Sequence, residues 1–168
     1  GIGTDSVTYC WGDNAAGQTS DAIWDGSSGT RSRKQPQPIV DLVGTASLVK
    51  SGMDALYTCA ITGTGNVECW GTDFTGVHTD PYTVSGISTA MDIAVAENHT
   101  CAALSDGTVQ CWGSNASGQL GDGTTTNSSV PVTVSGVTTA SVVYAYDDYT
   151  CAGLTDGTYT CWGSKAGW

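Results

Sequence analysis

The chain predicts an all-β protein assembled from repeated antiparallel hairpins, and three observations carry that prediction. Cysteines stand ten positions apart three times, as Cys59/Cys69, Cys101/Cys111 and Cys151/Cys161, and Trp-Gly follows each second cysteine. The segments around these pairs recur without gaps: Val84-Ser85-Gly86-Ile87-Ser88-Thr89-Ala90 is matched by Val134-Ser135-Gly136-Val137-Thr138-Thr139-Ala140. The apolar residues come in short β-branched and aromatic runs, too short for helices.

The first element in order is Cys10-Trp11-Gly12, a lone copy of the signature whose partner would stand at position zero. The expectation is a piece of a longer chain in which Cys precedes Gly1; otherwise Cys10 is free or bonded to another molecule. Counting back from the first cysteine of each pair, Pro81 and Pro131 lie twenty positions before it and Pro38 twenty-one. The variable part runs from the Cys-Trp-Gly cysteine to that proline, over 28, 12 and 20 positions in successive copies. A constant block joined by a variable segment predicts rigid strands linked by a surface loop. The units are 1–12 (partial), 13–71, 72–113, 114–163 and a start at 164–168, within one repeat domain over 1–168.

Within a unit, Ile93-Ala94-Val95-Ala96 and Val142-Val143-Tyr144-Ala145-Tyr146 read as strands. His99–Leu104 and 108–112 flank Ser105-Asp106-Gly107, a three-residue hairpin loop whose Gly takes the left-handed position. The matching hairpins centre on Thr64-Gly65 and Asp156-Gly157. That register sets Cys101 directly opposite Cys111. A disulfide needs the closer, non-hydrogen-bonded kind of opposed pair. Free buried cysteines would not explain recurrence only as opposed pairs, and one pair per hairpin gives two of the four ligands of a structural zinc site. Closing each ring contributes about 2.5–3 kcal/mol in the loop-entropy account. Cysteines oxidised in this pattern belong to an oxidising compartment.

The run from His99 through Cys101, Asp106-Gly107, Cys111-Trp112-Gly113 and Asn115 to Gly118-Gln119-Leu120-Gly121 resembles the repeat of the regulator of chromosome condensation family, and so does Trp11 to Gln18. The resemblance implies β-propeller blades, each a four-stranded antiparallel sheet. About three and a third repeats are present, against seven blades in the family's full propeller. It therefore implies a partial or open propeller, or a segment of a longer one. The copy after Cys69 departs from the pattern, with Thr72-Asp73-Phe74-Thr75-Gly76-Val77 in place of the Gly-Gln-Leu-Gly segment, so its loop is trimmed. The family includes a nucleotide-exchange factor for a small nuclear GTPase, β-lactamase-inhibiting propellers and secreted repeats, so the fold alone selects no function.

Charge narrows the classes. Five Lys and Arg face sixteen Asp and Glu, for a net charge of −11. This disfavours nucleic acid and anionic membranes, and with the cysteines it contradicts the nuclear exchange role. No stretch has the length or apolarity to insert in a membrane as a helix. No nucleophile–base pairing, metal cluster or phosphate loop stands out, so neither enzymatic activity nor a cofactor is expected.

Arg31, Arg33 and Lys34 gather three of the five cations in the longest loop, and with Trp24 and Trp168 they are the interface candidates. Asn98, Asn115 and Asn127 head glycosylation sequons, with Asn115 and Asn127 expected to be the more accessible, and Thr124-Thr125-Thr126 suits O-linked sugar. His99 occupies a slot filled by Tyr57 and Tyr149 in other copies, which means packing rather than proton transfer. His78 shows no partner placed by a motif. Asp122 and Asp147-Asp148 are read as turn residues, and Trp11, Trp70, Trp112 and Trp162 as core. The expected function is an extracellular or cell-surface structural or adhesive repeat protein that associates with copies of itself or the rest of a longer propeller. The alternative is a soluble binding or inhibitory propeller that recognises a protein or glycan through its loops.

Overall fold

A computed structural model of the chain describes residues 2, 7–13, 32–39, 41–52, 55–63 and 65–164. Among them there is no helix, and the strands form a run of antiparallel sheets. A leading pair joins β1 (Tyr9–Asp13) to β2 (Ser32–Pro38). The first full blade is a four-stranded meander of β3 (Ala46–Ser51), β4 (Tyr57–Thr62), β5 (Asn66–Asp73) and β6 (Gly76–Thr83). The second repeats it with β7 (Ala90–Val95), β8 (His99–Leu104), β9 (Val109–Gly113) and β10 (Ser128–Thr133). The third has three strands, β11 (Ala140–Tyr146), β12 (Tyr149–Leu154) and β13 (Tyr159–Gly163).

The sheets are offset from the sequence units. Unit 72–113 contributes β6 to the first blade and β7, β8 and β9 to the second. The recurrent prolines account for this offset. Pro38, Pro81 and Pro131 lie on β2, β6 and β10, which end their sheets, and an edge strand tolerates a residue that cannot donate to the ladder.

The hairpin between β8 and β9 closes around Ser105-Asp106-Gly107. Gly107 N donates to Leu104 O at 2.9 Å, Leu104 N donates to Thr108 O at 2.9 Å, and Gly107 has φ +83°. Asp106 Oδ1 accepts from the amide and hydroxyl of Thr108, which hold its carboxyl below the usual range. Asp156 and Thr158 repeat the arrangement. The hairpin register sets Cys59, Cys101 and Cys151 directly opposite Cys69, Cys111 and Cys161, and each pair is disulfide-bonded across a Cα–Cα distance of 4.0–4.1 Å. This is the closer kind of opposed pair.

Both faces of an inner blade are buried, so β4 and β8 are inaccessible at every residue rather than alternately. Odd-numbered positions of the first blade (Cys59, Ile61, Val67, Cys69) face forward and pack with Ile93, Val95 and Trp112 of the second. Ala60 and Trp70 face back onto Ile39 and Cys10. In the second blade Cys101, Ala103, Val109 and Cys111 face forward onto Val143 and Ala152. Each disulfide is covalently a clip within one blade, yet the sulfurs of Cys59, Cys69, Cys101 and Cys111 belong to the packing between blades.

The pattern corrects one expectation. Trp70 and Trp112 are core residues, but Trp11 is 55% exposed. Trp70 and Trp112 are covered at this position by the sheet before their own. Cys10 is unpaired and half-buried, and burial pushes its thiol pKa up.

The hairpin glycines show how closely blades approach. A Cβ on Gly107 would lie 2.3 Å from Thr138 O of the next blade, whereas one on Gly157, with nearly the same φ, meets nothing within 4 Å. Gly157→Ala should therefore cost only the backbone preference, about 1 kcal/mol, and Gly107→Ala clearly more, read from urea-denaturation midpoints. Equal losses would mean that the turn conformation alone matters. Graded reduction with mass-mapped thiol labelling should open Cys151–Cys161 first. Its sulfurs are half-buried, whereas Cys59, Cys69, Cys101 and Cys111 are fully buried.

Candidate functional site

The variable segment between β9 and β10 forms the seam between the second and third blades. Its organiser is Asn115, whose Nδ2 donates to Asp122 Oδ1, Thr124 O and Thr126 O at 3.1–3.2 Å. Asn115 Oδ1 accepts from Leu120 N at 2.9 Å, and Asn115 N donates to Asn127 Oδ1 at 2.7 Å. The folded loop presses Gln119 onto the third blade. Gln119 O accepts from Thr150 Oγ1 and Trp162 Nε1, both at 2.9 Å, and Gln119 Nε2 donates to Asp148 Oδ1 at 3.1 Å. A Cβ on Gly121 would lie 2.6 Å from Trp162 Nε1, so the Gly-Gln-Leu-Gly signature is a docking element.

This geometry corrects the reading of Asn115 as an accessible sequon. Its side chain is fully buried, and the nitrogen a glycan would need is bonded inside the loop. Asn127 and Asn98 are exposed. Asp122 and Asp148, read as turn residues, also hold the loop and its seat.

His99 is buried in the same seam. Thr150 gives its proton to Gln119 O, so His99 Nε2 carries the proton that bridges 2.8 Å to Thr150 Oγ1, and Nδ1 is left buried with no partner. Tyr57 makes the equivalent contact one blade earlier, with its hydroxyl 2.7 Å from Thr100 Oγ1. The slot therefore packs, as its aromatic alternatives imply, and ties adjacent blades together. Burial lowers the His99 pKa to about 4, against the pull of Asp148. The unfolded imidazole takes its proton near pH 6.5, and the folded one refuses it until about 4. This contribution is intact above pH 6.5 and is lost as pH falls toward 4, by about 3 kcal/mol in all. Urea denaturation across that window should show the loss in the native chain and much less of it in His99→Tyr. Parallel curves for the two would overturn the assignment.

Between the first and second blades the corresponding loop is replaced by a tight turn, Phe74-Thr75, between β5 and β6. Thr75 Oγ1 donates to Asp73 Oδ1 at 2.6 Å and lies 2.8 Å from His78 Nε2, and the Tyr82 hydroxyl donates to Asp73 Oδ2. Burial, and then the Asp73 carboxylate, push the Tyr82 pKa up. His78 thus has a carboxylate 3.6 Å away that no sequence motif revealed. The Thr75 proton goes to the carboxylate and not to the imidazole, so the cluster braces the turn instead of activating a nucleophile. Beside it runs a shallow, open groove, walled by Asp73, Phe74 and Thr75 on one side and Asn98, Trp112 and Ser129 on the other. Among the described residues, no three His, Cys, Asp or Glu side chains group to hold a metal ion.

Arg33 and Lys34 lie on β2; Trp24, Arg31 and Trp168 lie outside the described residues. The third blade carries a surface that the sequence reading missed. Tyr144, Tyr146 and Tyr159 are 54%, 44% and 66% exposed, with the Tyr144 and Tyr159 rings 6.4 Å apart. In the repeat alignment they stand where the second blade has Ala94, Ala96 and Val109, all buried. The signal was those three columns, in which tyrosine replaces a small or aliphatic residue.

Comparison with known proteins agrees with this architecture. The Regulator of chromosome condensation (RCC1) repeat matches at residues 92–119 and again at 106–152. No curated protein matches the chain. Human WBSCR16 is similar in structure, with a TM-score of 0.79, 19% identity, and coverage of 92% of this chain and 42% of that one. Yeast RCC1 (Prp20), solved bound to Kap60, gives 0.75 and 17%, over 94% of this chain and 39% of that one. The computationally designed Ika4 protein gives 0.52 and 13%, over 77% and 72%. The chain thus spans about two fifths of the length of the two natural propellers. Residues 92–152 match the regulator of chromosome condensation repeat, and the chain folds like a run of blades from these propellers.

Proposed function

We propose that the chain is a structural or adhesive segment of an extracellular or cell-surface protein, acting by blade-to-blade association with copies of itself or with further blades. Repeats of this type make protein-binding modules. Yeast RCC1 is bound by Kap60, and a study of Prp20p concerns its binding to Gsp1p and histones. A net charge of −11 and disulfides turn this chain away from chromatin and from a reducing compartment.

The tyrosine surface of the third blade carries the proposal. Its position in the repeat is the one that inner blades bury against the next blade. Tyrosines there supply large, rigid, amphipathic area suited to a contact that is both apolar and wet. The partner surface is the back face of a leading pair, where Trp11 is exposed and Arg33 and Lys34 lie on the adjacent strand. Acidic residues around the tyrosines (Asp147, Asp148 and Asp156) favour a basic approach. Such a head-to-tail contact is heterologous and propagates unless rotation closes it.

Sedimentation of the native chain should show weight-average mass rising with concentration, and the Tyr144→Ser, Tyr146→Ser, Tyr159→Ser triple variant should stay monomeric. Electron micrographs of the concentrated native chain should show filaments; monodisperse particles alone would sink the filament form.

A further inference from the structure

Two junctions between blades share one design but differ in what fills it. At the second junction Gln119 occupies a seat on the third blade. Its carbonyl takes the Trp162 indole proton and the Thr150 hydroxyl proton, its side-chain amide reaches Asp148, and its Cα lies 3.2 Å from where a Cβ on Gly163 would stand. Trp112, Thr100, Asn98 and Gly113 are the same positions one blade earlier, each fifty residues before its counterpart. No loop reaches them, because the segment that would do so is the Phe74-Thr75 turn. The shallow, open groove lies at this place, lined by Trp112, Asn98 and Gly113.

The seat is intact though no loop fills it. Trp112 is 5% exposed and, among the described residues, its indole N–H has no hydrogen-bond acceptor, whereas that of Trp162 is satisfied at 2.9 Å. Thr100 keeps its bond to Tyr57, as Thr150 keeps its bond to His99. The three atoms nearest a Cβ on Gly113 belong to Asn98 and His99, whereas Gln119 Cα is among the three nearest at Gly163. Among the described residues the buried side-chain nitrogen or oxygen left without a partner is His99 Nδ1, so the Trp112 indole N–H is open to solvent through the groove, and a carbonyl brought to it takes the place of water.

We propose that this groove is a peptide-binding site for a loop of Ser-Gly-Gln-Leu chemistry supplied by a partner protein. The bound loop gives a main-chain carbonyl to Trp112 Nε1 and a side-chain amide to Asn98. Asn98 can both donate and accept where Asp148 only accepts, so the groove takes a Gln or Asn at the contact position. The site lies at a different junction from the tyrosine surface and does not depend on it.

The test titrates the ¹⁵N-labelled chain with a capped peptide of residues 115–121 (Asn-Ala-Ser-Gly-Gln-Leu-Gly) and follows the indole N–H resonances, with Trp112 assigned from Trp112→Phe. The expected result is a downfield shift and slowed exchange of the Trp112 indole proton, together with movement of the Asn98 side-chain amide. Asn98→Ala, a change at an exposed position, should weaken binding about tenfold, as should replacing the peptide's Gln by Ala. The Tyr144→Ser, Tyr146→Ser, Tyr159→Ser variant should bind the peptide unchanged, which separates this site from blade association. Three results would overturn the proposal: no Trp112 shift at millimolar peptide, movement of Trp162 alone as the peptide displaces the native loop, or a Trp112 shift with chitotriose and none with peptide.

Discussion

Backbone meets backbone across each blade junction, and that contact sets the terms for the rest of the molecule. Ala90 donates to Gly65 O at 3.0 Å and Ala140 to Gly107 O at 2.9 Å, while a Cβ on Gly52 would lie 2.1 Å from Val95 O. Blades this close must be nearly flat on their facing sides. The forward surface is therefore made of opposed cystines, alanines and valines, and the bulk of each tryptophan goes to the back surface, where it fills the hollow left by the blade before. The disulfide suits this demand. It locks two strands with compact side chains and, once buried, offers apolar sulfur to the next blade. Bulky residues at the same forward positions depart from this rule, and Tyr144 and Tyr159, both exposed, are that exception.

Much of this order was legible in the sequence because the constraint recurs. Opposed cysteines, the Asp-Gly hairpin and the proline of the outer strand each follow from local geometry that one unit expresses and its neighbours repeat. What the sequence hid depends on neighbours in space. Asn115 reads as a loop asparagine in a sequon, and its burial follows from acceptors seven to eleven residues away that only the folded loop collects. Trp11 matches Trp70 and Trp112 letter for letter, yet burial of that position comes from the preceding blade and not from its own. His78 and Asp73 meet because the shortened connection makes a tight turn, and no spacing rule for catalytic residues anticipates a hairpin pair that braces itself.

The same reasoning separates polar groups that serve the fold from those left over. Glu68 is 1% exposed and looks anomalous, but its carboxylate accepts from Val43 N and from the Thr62 hydroxyl, so the charge is answered within the first blade. Asp92 Oδ2 accepts from Val143 N at 2.9 Å and stitches the second blade to the third. His99 is the half-answered case. One nitrogen bridges blades, the other is buried and bare, and tyrosine in the same slot avoids the difficulty.

Variation in this chain is concentrated where the repeat leaves it free, between Cys-Trp-Gly and the outer-strand proline. A long segment there is not merely tolerated, since through Gln119 it completes the junction by supplying an acceptor to the half-buried Trp162 indole. A short one removes that acceptor and leaves the Trp112 indole N–H to solvent, while the ring is still held by the packing of its own back face. Phe74 and Thr75 close the turn and line the groove without reaching the indole nitrogen. Loop length, the most variable property of the repeat, thereby decides whether a junction is closed from within or open to another chain.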